Sequence, residues 1–134
     1  MTGVVRFRGY AAVFDAVDRA GDVFRAGAFA GAGEVPLLVQ HRGLPVGRIV
    51  VAEDARGLAV SGEVSDVAVA ALVRAGALTG LSVGYRPQVV RQGAHRSLSR
   101  VALVEVSLVA QPMQPLARVE HISIPPRHGE GNQP

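Results

Sequence analysis

Residues 46–64 read VGRIVVAEDARGLAVSGEV. Two β-prone stretches, 46–52 and 58–64, flank the turn-forming run Glu53-Asp54-Ala55-Arg56-Gly57, which is the pattern of a hairpin. In the second stretch Leu58, Val60, Gly62 and Val64 share one face, the period-two mark of a half-buried strand. The same grammar of short strands and Gly, Pro or Asp punctuation runs outward in both directions. Upstream, residues 4–14 are rich in β formers and residues 15–22 (DAVDRAGD) form a turn region. Residues 24–33 are small and Gly-broken and predict a short helical turn. Residues 35–40 are a compact apolar run that ends at His41 and is followed by a loop, RGLP. Downstream, strands are predicted over 81–90 and 98–110, then a Pro-rich bend over 111–115 and a last apolar stretch over 116–124.

Residues 66–78 break the pattern. Asp66 can cap a helix that runs through VAVAALVRAGAL to about Leu78. Only Arg74 in it is charged, so the helix should be buried on more than one side. A partner subunit could supply the second side, and a homodimer or higher oligomer is expected. About seven strands and one clear helix predict a mainly β (α+β) fold over residues 1–124. The expected form is a small, mostly antiparallel closed β-barrel with one main helix and short flanking helices. Runs 35–39 and 101–109 are apolar on both faces and predict central strands covered by a helix. Residues 125–134 lack periodicity and predict a disordered tail.

The composition narrows the function. With 134 residues, 49% hydrophobic and 19% charged, the chain is the size of one domain and has a folding composition. Aromatics are only 4%, so the core should be built from Val, Leu, Ala and Ile. The absence of Cys excludes a disulfide scaffold, a thiolate metal site and a cysteine nucleophile. The longest apolar run, 67–73, is far short of the ~20 residues of a membrane span. The first residues, MTGVVRFRG, lack the apolar stretch of a secretory signal, and an intracellular protein is expected. All 14 basic residues are Arg, scattered singly apart from RFR at 6–8, against 11 acids. A basic patch with stacking aromatics is not visible, so no specific nucleic acid is expected as partner.

Three residues stand out chemically. Ser82 lies in Gly80-Leu81-Ser82-Val83-Gly84, a match to G-x-S-x-G. The nucleophile elbow of that pattern needs a strand before the serine and a helix after it, whereas here the helix precedes and a strand follows. A small residue at a tight strand start explains Ser82 as well as a nucleophile does. His41, at a strand end, is suited to a general base in a cleft or to a plain loop entry. Glu105 interrupts the apolar run VALVEVSLVA, where a buried carboxylate needs a partner. That partner could be an Arg, with Arg48 and Arg100 in reach by sequence, or a His. Together the three supply the parts of a hydrolytic triad: nucleophile, base and orienting group. His95, His121 and His128 are weaker candidates. No two His are spaced as metal ligands, the pair Asp18 and Asp22 reads as turn chemistry, and no metal or cofactor is expected.

The ordered segments GYAAVFDAVDRAGDVFRAGAF, VPLLVQHRGLPVGRI, DARGLAVSGEV, ALTGLSVGYRP and LVEVSLVAQPMQPLA resemble the prohead maturation proteases of Hong Kong 97-type tailed phages and gene transfer agents. The resemblance spans roughly residues 8–119. It implies the fold of the herpesvirus assembly proteases, a barrel ringed by helices, whose members pair through a helix. It further implies a serine endopeptidase that processes capsid or scaffold protein, and itself, inside the immature capsid in a bacterial host cell. Ser82 would be the nucleophile and His41 the base. Glu105 matches the acidic third position of the phage family, whereas the herpesvirus relatives use a second His, for which His121 is the first candidate here. Gln114 stands where the family often has Asn, and the long C-terminal extension of many precursors is missing, as in a compact or processed form. The alternatives are a catalytically silent barrel acting in capsid assembly and a small-ligand or nucleic-acid-binding barrel.

Overall fold

The computed structural model describes residues 4–123. Its strands are β1 (Val5–Val13), β2 (Asp22–Phe24), β3 (Glu34–Val39), β4 (Arg42–Glu53), β5 (Gly57–Val64), β6 (Gly80–Gln92), β7 (Arg96–Val109) and β8 (Val119–Ser123), with one helix among the described residues, α1 (Val67–Arg74), between β5 and β6. The hairpin read at 46–64 is β4–β5, paired antiparallel from Gly47–Val64 to Glu53–Leu58. Its turn closes because the Asp54 carboxylate accepts the N–H groups of Arg56 (2.8 Å) and Gly57 (3.0 Å). On one side β1 pairs β5 and β8 pairs β1; on the other β3 pairs β4 and then β7, all antiparallel except β3–β7. One edge of β7 carries β6 along most of its length. The other edge is shared by two parallel neighbours, β2 at Arg96–Leu98 and β3 at Val106–Leu108.

The core is mostly aliphatic, with Leu37, Ile49, Leu58, Leu81, Leu98 and Leu108 wholly enclosed. Each such side chain contributes roughly 1.5–3 kcal/mol by leaving water. All four Phe residues (Phe7, Phe14, Phe24 and Phe29) are also buried, so the core is less purely aliphatic than the composition suggests.

Several expectations need correction. The eight-stranded sheet is mostly antiparallel as expected, but it is mixed, with β2–β7 and β3–β7 parallel, and the path from β2 to β8 does not close into a barrel. Among the described residues β6, which branches from β7, meets the β8 side only at a single bridge, Gly80–Arg118. The parallel pairs arise because β2 and β3 both reach β7 by crossover connections. Residues 22–24, read partly as turn, form the extra strand. The short flanking helices are not present among the described residues. Over 25–32 successive turns replace them, since Gly27 and Gly31 adopt positive φ and the Glu53 carboxylate pins the N–H groups of Gly27 and Phe29. Helix α1 ends at Arg74, four residues before Leu78. Gly76, with φ 79°, takes the left-handed position after the cap, and Ala77 N–H returns to Leu72 C=O and Gly76 N–H to Val73 C=O. Asp66 does cap α1, accepting Val69 N–H at 2.9 Å. The helix buries Ala70 and Val73, mainly against β1 and β5 and not over β3 and β7. Val67 and Leu72 stay exposed. The tail read at 125–134 lies outside the described residues.

Candidate active site

Three element ends converge beside the β3–β7 seam. The first is the β3–β4 connection, a two-residue turn between the paired Val39 and Arg42. Both turn residues, Gln40 (φ 54°) and His41 (φ 61°), have left-handed backbones, the geometry of a type I′ hairpin turn that Asn-Gly would adopt with less strain. Neighbouring strands compensate: Gln40 N–H donates to Leu108 C=O (3.0 Å) and His41 N–H to Ser107 Oγ (3.0 Å). The RGLP segment, expected as a loop, begins β4 and then bulges, so that residues 43–46 oppose Leu38 alone. The second and third contributors are the start of β6 and the end of β7, where Ser82 faces Ser107 and Gly84 faces Glu105 in the antiparallel ladder.

This register brings the three sequence candidates together. His41 Nε2 lies 2.9 Å from Ser82 Oγ, and His41 Nδ1 lies 2.6 Å from Glu105 Oε2. A carboxylate only accepts, so Nδ1 carries the proton and the Nε2 lone pair faces the serine hydroxyl. The Ser107 hydroxyl donates to the other carboxylate oxygen, Oε1, at 2.8 Å. Glu105 and Ser82 are buried, while the His41 side chain is 40% exposed, which leaves the imidazole open to an incoming group.

Two participants escaped the sequence reading. Ser107 is wholly buried and links the His41 backbone to the Glu105 carboxylate. The available signal was the period of two in EVS, which puts Glu105 and Ser107 on one face. Gly84 is the second: a Cβ there would sit 2.0 Å from Glu105 Oε2, so only glycine leaves room for the carboxylate. The second glycine of G-x-S-x-G thus serves strand-to-strand fit, not an elbow.

The sequence profile described as "Caudovirus prohead serine protease" matches residues 2–128. The chain belongs to that family. No curated protein matches it in sequence. Among solved structures it is similar to KSHV protease in complex with a hexapeptide phosphonate inhibitor, with TM-score 0.60 at 12% identity over 91% of this chain. The match covers 66% of that protease, so this prohead protease chain spans just under two thirds of its length.

The remaining candidates lie elsewhere in the prohead protease fold. His121 is exposed on β8, paired with Arg8 of β1, and His95 is exposed in the β6–β7 turn; His128 lies outside the described residues. Arg48 pairs with Glu34, at 2.6 Å, and Arg100 forms no ion pair among the described residues, so neither is the partner of Glu105. Groups of three or more His, Asp or Glu able to hold a metal do not occur among the described residues.

A cleft of about 130 Å³ opens beside Ser82 and His41. Phe24, Tyr85, Val83 and Met113 give it apolar walls, and Asp18 and Gln114 also line it. Gln114 is a clamp: its amide bonds both the N–H and C=O of Val13 and the C=O of Ala16. Behind the wall, Asp22 holds Arg96 through two bonds (2.7 and 2.8 Å) and accepts the Tyr85 hydroxyl at 2.8 Å. The Arg96 guanidinium keeps the Asp22 carboxyl below the usual carboxylate range. Burial, reinforced by donation to Asp22, pushes the Tyr85 phenol up. The turn chemistry read for Asp18 is present, since its Oδ1 accepts Ala20 N–H (2.8 Å) and Asp22 N–H (2.9 Å).

Proposed function

We propose that Ser82, His41 and Glu105 form the catalytic triad with which this prohead protease cleaves capsid or scaffold protein, and itself, inside the immature capsid of the host cell. The unbroken line Ser82 Oγ–His41 Nε2, His41 Nδ1–Glu105 Oε2 is the observation that carries this reading. Ser82 Oγ attacks the peptide carbonyl carbon while its proton passes to His41 Nε2. Glu105 stabilises the imidazolium and holds its tautomer. His41 then protonates the departing amine, leaving an acyl-Ser82 ester. Water, deprotonated by the same Nε2, hydrolyses that ester and releases the acid product. Ser107 keeps the carboxylate aimed at His41.

Co-expression with the capsid precursor tests the reading. Intact mass should show a processed capsid protein with the wild type and an unprocessed one with Ser82→Ala at unchanged melting temperature. Processing by the folded variant would overturn it. Self-association is part of the same reading: Val67 and Leu72 on α1 are left exposed by the described residues. Light scattering at high protein concentration should find a dimer or larger, and a monomer would contradict this.

A further inference from the structure

The cleft beside Ser82 contains a carboxylate that the triad does not use. Asp18 is more than nine-tenths buried. Its Oδ1 is engaged by two backbone N–H groups, whereas Oδ2 has no hydrogen-bond partner among the described residues. No fully enclosed side-chain oxygen or nitrogen there lacks a partner, so Oδ2 keeps access to open space, and the space Asp18 lines is this cleft. The nearby Asp22 differs in having its own cation, Arg96. Arg19, next in sequence to Asp18, is directed to Gln111 instead, and Asp18 has no cation within ion-pair distance among the described residues.

We propose that this cleft receives the substrate side chain on the acyl side of the scissile bond, and that Asp18 makes it select arginine or lysine. The inference rests on the triad reading above. A basic side chain fits each part of the cleft. Its aliphatic stem meets Val83 and Met113, with the aromatic side chains of Phe24 and Tyr85 lining the same cleft. Those rings are packed edge to face, with centroids 5.0 Å apart, and Tyr85 is fixed by Asp22, so the wall is preorganised. The charged end would complete Asp18 Oδ2, which has no partner among the described residues, in a low-dielectric site where such a bond discriminates strongly. A neutral or acidic side chain would leave Asp18 desolvated and without a partner.

The test uses purified full-length protein with a proteome-derived peptide library, cleavage positions being read by mass spectrometry. Arginine or lysine should precede most cleaved bonds. Asp18→Asn keeps the Oδ1 acceptor of the turn. It should lower kcat/KM for basic peptides about 100-fold relative to that for peptides with methionine at the same position, so that the preference itself is lost, and an unchanged basic-to-methionine ratio in the folded variant would overturn the inference. Cleavage by the wild type after small or acidic residues, with Ser82 labelled by a fluorophosphonate, would overturn the inference and leave the peptidase reading standing. An unlabelled Ser82 with no cleavage would overturn both. The wild-type profile decides the matter even where Asp18→Asn folds poorly.

Discussion

Glu105 and Asp22 are both nearly enclosed carboxylates, and the fold satisfies them in opposite ways. Asp22 meets a permanent cation and a phenol, Arg96 and Tyr85, and becomes a fixed strut joining β2 to the start of β7. Glu105 meets groups that carry no permanent charge, the His41 ring and the Ser107 hydroxyl. A buried carboxylate neutralised by arginine has no further electrostatic task. One facing a neutral imidazole gains most when that imidazole takes up a proton, which is the step a serine nucleophile demands. Two similar burials thus separate structure from chemistry, and the nature of the partner makes the difference.

The largest expected effect breaks the Glu105 side of this comparison. Glu105→Gln keeps the shape but loses the charge and the enforced tautomer, and kcat/KM should fall by about 10⁴-fold with little change in melting temperature. A stable variant with wild-type activity would make Glu105 a second Asp22. The reverse pattern is expected for Asp22→Asn. Stability should fall by about 2 kcal/mol, measured by urea unfolding, while activity per folded molecule changes little. Because the Asp22 carboxyl titrates lower in the folded state than its ordinary value of 3.8, its stabilisation is complete above that value and is lost as pH falls through the folded one. Asp22→Asn should therefore flatten the acid limb of the stability profile, and an unchanged limb would contradict the assignment. Ser107→Ala sharpens the comparison at the smallest scale. Removing one donor from the carboxylate and one acceptor from the His41 backbone should cost about tenfold in kcat/KM. An unaffected rate would show that β7 alone orients Glu105.

The sequence reading reached the site further than the fold. Ser82, His41 and Glu105 are legible because each is a polar exception to apolar surroundings, His41 at the end of a run and Glu105 inside one, and such exceptions need partners. Ser107 is not, since a serine is cheap to bury and marks nothing by itself. The β4–β5 hairpin is legible in its turn residues, and α1 in Asp66, but the apolar pattern runs on to Leu78 and does not mark Gly76 as the stop that its left-handed backbone makes it. The parallel pairing of β2 and β3 with β7 left no local trace. Strand direction across a crossover depends on distant packing, which hydrophobic periodicity does not record. The distinction between the two carboxylates was likewise invisible, because Arg96 lies 74 residues from Asp22 and His41 lies 64 from Glu105.

The most direct test of the triad is the reaction of the resting protein with a fluorophosphonate, followed by intact mass and peptide mapping. A single adduct on Ser82 is predicted for the wild type, with the labelling rate lost in His41→Ala because the hydroxyl then has no base. An adduct on another residue, or equal labelling of Ser82 in wild type and His41→Ala, would contradict the account.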